Sequence, residues 1–433
     1  MSGIAYAQAS ARARTPGSGR DRRHRESGIA LIAVVVFISI ASAVFVLRRL
    51  DADGWVARQN QRTAEALQSA REALLAHAMT NANRPGALPC PDIDGDGQAL
   101  PGIEYVGNGC QSYVGRLPWA LLRIPELRDG SGELLWYALS PGFRDAGPVN
   151  GNPGFVNPDT PAVLTVAGLP GAFGAILFAP GGALQGQVRI GVRTNMLDNY
   201  LDGVNATPTT EFSAALPGPA FNDRLLPVTR SDLIAVAERR VARDVVAALN
   251  QYFDLHGFLP VPAAFTNVQC VDPGFVAVGG CQGLPGLLAG RIPASVQPEA
   301  YAAVGSGQRS ALLNGSAVPP GQYDLVWFQL QRWREHVVYL VSSNCAGPTA
   351  TGCAGGNLNL RGAPGTIDGA RFAVLMAGTP AAGQSRASAT DRTTLANYVE
   401  LPGLAAVQLL ASGVVPPEVI VPPGTVVAVP GAN

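Results

Sequence analysis

The residues of this chain whose type and spacing bear on chemistry are six cysteines, four histidines and one run of alternating carboxylates. The cysteines fall as near neighbours: Cys90/Cys110, Cys270/Cys281 and Cys345/Cys353. None is spaced C-x-x-C and no histidine stands beside them, so zinc is poorly supported. Nearest-neighbour disulfides closing short loops are the expectation, with buried free thiols as the alternative. In Asp92-Ile93-Asp94-Gly95-Asp96-Gly97 the carboxylates alternate and glycine follows, a pattern suited to a hard cation such as calcium. It is not an EF-hand, because the twelfth position is Ile103 and Glu104 comes one residue later. Asp92, Asp94, Asp96 and Glu104 are the candidate calcium ligands; a solvated acidic turn is the bland reading.

Little else points to catalysis. G-x-S-x-G, H-E-x-x-H and G-x-G-x-x-G are absent. His24, His77, His256 and His336 are scattered over a basic leader, two helical regions and a strand. The chain has no lysine, which excludes P-loop and Schiff-base chemistry. Lys+Arg 31 balance Asp+Glu 31, and a net charge of zero argues against a nucleic-acid footprint. The expectation is a protein that is not an enzyme, with no cofactor unless it is Ca2+.

Those residues need elements to hold them. From Gly28 to Leu47 run twenty uncharged residues, GIALIAVVVFISIASAVFVL. As a helix at ~1.5 Å per residue this reaches across a ~30 Å hydrocarbon core. Arg12, Arg14, Arg20, Arg22, Arg23 and Arg25 precede it, against Asp21 and Glu26, which predicts a cytoplasmic N-terminus and an exported remainder. Export would favour disulfides. Ala41-Ser42-Ala43 has the form of a secretory cleavage site, but the apolar run continues through it. An uncleaved anchor is a further alternative. Trp55 to Met79 is rich in Ala, Gln, Glu, Arg and Leu, with Leu67, Ala70, Leu74 and Ala78 at helical spacing, and Pro85-Gly86 stops it.

The junction Arg25-Glu26-Ser27-Gly28-Ile29 resembles the class-III signal of type IV prepilins. The resemblance implies cleavage by prepilin peptidase after Gly28 and methylation of the new N-terminal Ile29. Two positions depart from the family: Ile29 stands where Phe or Met is commoner, and Ala33 stands where most pilins carry Glu. A Glu there would pair in lipid with a neighbouring subunit's amine, so its absence removes one filament contact. Some minor pseudopilins at filament tips also lack it.

The remainder repeats itself in order. Leu88-Pro89-Cys90-Pro91 returns as Leu259-Pro260-Val261-Pro262, and Gly109-Cys110-Gln111 as Gly280-Cys281-Gln282. Gly115-Arg116-Leu117-Pro118 returns as Gly290-Arg291-Ile292-Pro293, and Glu133 to Ser140 as Glu335 to Ser342. Phe173 to Phe178 matches Phe372 to Met376, Gly186 to Arg189 matches Gly383 to Arg386, and Asn199-Tyr200 matches Asn397-Tyr398. A second helix over Ser231 to Phe253, capped by Ser231, precedes the second copy. Short apolar strands without long helices between them suggest antiparallel sheets.

The expected fold class is α+β: a long N-terminal transmembrane and amphipathic helix, then two tandem helix-plus-antiparallel-sheet heads. The expected divisions are leader 1–28, helix 29–84 (membrane span 29–47, amphipathic to about 80), first head 85–228, second head 229–412 and a Pro/Val-rich extended tail 413–433. Function then reads as a minor pilin-like or pseudopilin-like subunit of a type IV pilus or type II secretion pseudopilus, at the filament tip. Its partners would be other pilins or pseudopilins, inner-membrane assembly proteins, prepilin peptidase and membrane lipid, with no nucleic acid. Its place would be the inner membrane, single-pass, with the heads periplasmic or extracellular. The alternative is an inner-membrane-anchored periplasmic binding or adhesive protein outside any filament.

Overall fold

The computed structural model describes residues 22–146, 154–189, 196–207, 209–271, 281–293, 327–328, 331–350, 352–362, 365–400, 403–421 and 427–428. The first element, α1 (Arg22–Thr80), is 59 residues long. The chain divides inside it into two compact units, Met1–Gln61 and Arg62–Asn433. In the first unit Val35, Val36, Phe37, Ile38 and Ile40 are solvent-exposed. Ser39 and Ser42 turn their hydroxyls onto the carbonyls four residues back, at 2.8 and 2.7 Å, which satisfies them within the helix. Among the described residues no helix is long and apolar enough to cross a membrane. Most side chains of the expected span 29–47, and those of Gly28 and Ile29, lie outside the described residues.

The second unit is α+β. Ala66, Leu67, Ala70, Leu74 and Ala78 of α1 form the spaced stripe and are buried, each leucine contributing roughly 2 kcal/mol of transfer free energy. The strands that follow are β1 (Tyr105–Val106), β2 (Gly109–Cys110), β3 (Val114–Arg116), β4 (Trp136–Leu139), β5 (Thr165–Ala167), β6 (Phe173–Ala179), β7 (Glu211–Ser213) and β8 (Arg224–Thr229). The last of these runs into a second helix, α2 (Arg230–His256).

β3-β4-β6-β8 make an antiparallel sheet in that order. Side chains alternate across it. Tyr137, Leu139, Ala175, Leu177 and Val228 pack with α1, whereas Trp136, Ala138, Ile176 and Phe178 pack with Val166 and Phe212. The latter two come from the parallel pair β5·β7. Both faces are covered, so β4 and β6 are buried along their whole length.

The second helix serves two cores. Leu233, Ile234 and Val236 join the first, and Ala237, Val241, Ala242, Val245, Ala248 and Leu249 join the second. Its cap is Thr229 rather than the expected Ser231. Thr229 ends a strand with extended backbone and trades hydrogen bonds with Asp232 in a capping box. Arg71 of α1 pairs with Asp232 at 2.9 Å, and Arg240 donates to the Met79 and Asn81 carbonyls at the end of α1, at 3.0 Å each.

The second repeat carries β9 (Ala289–Gly290), β10 (Val337–Val341), β11 (Leu358–Gly362), β12 (Gly365–Ala370), β13 (Phe372–Met376), a helix α3 (Gly403–Ala411), β14 (Val419–Val421) and β15 (Val427–Ala428). Its sheet runs β9-β10-β13-β15, antiparallel, in the same sequence of neighbours as the first. β11 pairs with β14 in parallel, as β5 does with β7. Both β14 and β15 come from the tail 413–433, so residues 419–421 and 427–428 of it are built into the sheets of the second repeat.

Identical hydrogen bonds mark the repeat. Tyr137 donates to the Pro89 carbonyl at 3.1 Å and Tyr339 to that of Pro260 at 3.0 Å. Leu88 bridges to Arg144 in parallel, and Leu259 bridges to Ala346. Asp92 exchanges backbone bonds with Arg116, and Ala263 with Arg291. Gly181 and Gly378 share positive φ (68° and 65°), as do Gly186 and Gly383 (95° and 87°).

Candidate functional site

All three expected disulfides are formed: Cys90–Cys110, Cys270–Cys281 and Cys345–Cys353, with no free cysteine. The first closes a loop with a sequence separation of 20, for which chain entropy predicts ~3 kcal/mol. Inside that loop lie the acidic run and the hairpin β1·β2.

Asp92 is almost fully buried, and its carboxylate accepts the N–H of Gly95 at 2.5 Å and of Gly97 at 2.8 Å. Gly97 has φ +81°, and a Cβ there would stand 2.5 Å from the Trp119 ring. Asp94 and Asp96 cap Asp96 N (3.2 Å) and Gln98 N (2.7 Å). One carboxylate oxygen from each of Asp92, Asp94 and Asp96 lies within 4.8 Å of the others. Burial pushes the Asp92 carboxyl up to about 6, and the charges of Asp94 and Asp96 add to this. A divalent ion would relieve those like charges, so the three aspartates fit a hard cation.

Glu104 does not join them. Its buried carboxylate holds Leu100 N at 2.7 Å and Ile93 N at 3.4 Å, tying the loop to itself. The second repeat has Ala263 where the first has Asp92.

Each repeat also builds an arginine–tyrosine–arginine stack. In the first, the Arg116 and Arg189 guanidinium carbons each lie 5.2 Å from the Tyr200 ring centre. In the second, those of Arg291 and Arg386 lie 4.9 and 4.4 Å from Tyr398. Such stacks contribute on the order of 1 kcal/mol each. Arg189 donates to the Asn199 and Gly181 carbonyls at 2.7 Å, and Arg386 to those of Asn397 and Gly378 at 2.8 Å.

The carboxylates that complete these stacks differ. Arg189 takes Glu133 of its own repeat, at 3.2 Å. The counterpart Glu335 instead holds Arg332 at 2.7 Å, with Arg392 at 3.7 Å. Arg386 takes Asp159, from the first repeat, at 3.3 Å. His336, which replaces Leu134, lies between them, with Nδ1 3.3 Å from Arg386 and Nε2 3.5 Å from Asp159. Arginine only donates, so Nδ1 accepts and the imidazole hydrogen sits on Nε2, near Asp159 but without a hydrogen bond to any of the described residues. Burial holds His336 well below the usual histidine range, and Arg386, Arg291, Arg332 and Arg230 push the same way. Burial also raises the Asp159 carboxyl, against the pull of Arg386.

Around this trio Gln331 accepts Val156 N–H at 2.9 Å, and its carbonyl accepts the Asn157 amide at 3.0 Å. Arg230 reaches the Pro158 carbonyl, and Arg332 lies 5.0 Å over Phe155. Residues 155–160 thus fasten one repeat to the other.

No protein-family model, curated protein or solved structure matches the chain.

The seam is not legible in sequence because it joins Asp159 to Gln331, His336 and Arg386, all distant from it in the chain. The one available signal is the asymmetry of the duplication: His336 stands in a register where the other copy has leucine. The expected processing residues, Gly28 and Ile29, fall outside the described side chains.

Proposed function

We propose that the chain is a pilin-like or pseudopilin-like minor subunit carrying two tandem heads, which acts by assembly and surface presentation. The observation that supports this most is the helix Arg22–Thr80, which links the apolar stretch after Gly28 to a stripe packed on a four-stranded antiparallel sheet. A disulfide-closed loop between helix and sheet fits the same reading. On this reading residues 29–47 span the inner membrane, the N-terminus is cytoplasmic, and the heads are exported. Partners are other pilins or pseudopilins, inner-membrane assembly proteins, prepilin peptidase and lipid. Ala33 in place of Glu, together with the bulk of two heads on one helix, favours the tip of the filament.

The test is N-terminal sequencing of the mature protein in cells with and without prepilin peptidase. Ile29 as the N-terminus, dependent on the peptidase and abolished by Gly28→Val, is the expected result. Val44 would establish a secretory signal. An uncleaved N-terminus would favour the anchored binding or adhesive protein.

The aspartate cluster belongs to the same reading as a calcium site in the first head. Millimolar calcium is expected to raise the melting temperature by linkage, and Asp94→Asn with Asp96→Asn to remove the rise. An unchanged melting temperature in the unmutated protein removes calcium from the proposal.

A further inference from the structure

The chain has five tryptophans, and Trp119, Trp136, Trp327 and Trp333 are buried or half-buried. Trp55 differs. It stands on α1 and is 56% exposed, and Val56 beside it is 48% exposed. An indole is a large apolar body with one polar handle, so an exposed one on a regular helix points to a medium outside the head that covers it. Arg58 is also exposed and has no hydrogen-bond or ion-pair partner among the described residues. Its guanidinium reaches back along the helix, with Nη1 3.6 Å from where a Cβ at Gly54 would stand. Position 54 has no side chain, so the arginine can lie over the preceding turn, on the side of the apolar stretch. Residues 55 and 58 are three apart and share a helix face.

We propose that Trp55 and Arg58 anchor the helix in the lipid headgroup layer, with the indole at the interface and the guanidinium on phosphate. The proposal rests on the reading of residues 29–47 as a membrane span. At ~1.5 Å per residue, Trp55 Cα lies ~12 Å beyond Leu47. Helical side chains lean back over the turn before them, by ~5 Å, which brings the indole to ~7 Å beyond the hydrocarbon. The polar layer of a bilayer is ~5–8 Å thick on each side. Tryptophan collects in that layer because its ring is apolar and its N–H can meet a polar partner. Arg58 supplies a charged donor on an apolar stem, and phosphate is the acceptor that its planar fork matches. From Arg48 to Arg58 the sequence also sets three arginines, Arg48, Arg49 and Arg58, against Asp51 and Asp53, an excess of positive charge that suits an anionic surface.

The experiment reconstitutes the full chain into vesicles of phosphatidylcholine, with and without phosphatidylglycerol. Trp55 fluorescence is read as the difference between the unmutated chain and Trp55→Phe, in which the four other tryptophans cancel. Flotation with the vesicles comes first and tests the span itself. In the floating protein, lipids brominated near the headgroup should quench Trp55 more than lipids brominated near the chain end, and the vesicles should shield it from acrylamide. Phosphatidylglycerol should raise the quenching about twofold. Arg58→Glu should remove that increase and Arg58→Lys should keep it.

Floating protein whose Trp55 stays open to acrylamide and untouched by either bromolipid would overturn the anchor while leaving the span in place, and would free this face for a protein partner. Stronger quenching by chain-end bromine would put Trp55 inside the hydrocarbon and overturn it too. An increase that survives Arg58→Glu would overturn the contact with phosphate. Protein that does not float removes span and anchor together.

Discussion

Asp159→Ala is expected to cost on the order of 2 to 3 kcal/mol and to uncouple the unfolding of the two repeats. The carboxylate faces two groups that are almost wholly buried, Arg386 (1% exposed side chain) and His336 (0%). Removing it leaves a buried guanidinium without the one carboxylate that pairs with it among the described residues. Breaking a buried pair by deleting one partner is costly because the remaining charge cannot return to water. Asp159 itself is about a quarter exposed, which places the effect at the lower end of the range for buried pairs. Calorimetry should show one transition in the unmutated protein and two in the variant. Asp159→Asn should fall between, since an amide oxygen can still accept from Arg386. Glu133→Ala is the matched control: it opens the equivalent pair on Arg189 inside one repeat and should destabilise without splitting the transition. A single transition for Asp159→Ala at the unmutated melting temperature would refute the role of the seam.

Gly290→Ala should be among the most disruptive single substitutions in the second repeat, lowering stability by about 3 kcal/mol or preventing folding. A Cβ at Gly290 would stand 2.1 Å from the Ala263 carbonyl oxygen and 3.0 Å from Pro262 Cβ. The oxygen is backbone and accepts Arg291 N–H at 2.9 Å, so it cannot swing aside as a side chain would. Relief requires opening the Ala263–Arg291 bridge, with two backbone hydrogen bonds worth ~1 kcal/mol each. It also displaces Arg291 from its stack on Tyr398. Gly115 is the same position in the first repeat, with the Asp92 oxygen 2.6 Å from its would-be Cβ. Gly115→Ala should therefore behave alike and disturb the acidic loop as well. Denaturant midpoints check both, and a loss below about 1 kcal/mol in either would show that the strands move apart more readily than this geometry allows.

Much of the architecture was legible because it depends on local or repeated pattern. Helical spacing of Leu67, Ala70, Leu74 and Ala78 marked the buried face of α1, and the landmarks shared by the two halves match shared hydrogen bonds. Disulfide pairing followed sequence proximity because each bridge closes a short loop. Spacing alone places Glu104 with the cation cluster; in the fold its carboxylate caps backbone N–H groups, a use that spacing does not distinguish from ligation. Residue type favours Ser231 as the helix cap, but the residue that ends β8 in extended conformation is Thr229.

What the sequence determined by itself is the inventory: an apolar stretch after a basic leader, two copies of one helix-and-strand pattern, three close cysteine pairs and a run of aspartates. These are properties of residues near one another in the chain, so periodicity and spacing reveal them. Only the tertiary structure decided how the copies differ. Asp159 meets Arg386 across 227 positions, the tail supplies the outer strand of the second sheet, and Asp223 is buried against Asp202 N–H and the Asn205 amide. Burial and charge pairing between distant residues set those outcomes, because a carboxylate's partner depends on which chains fold against it and not on its neighbours in sequence.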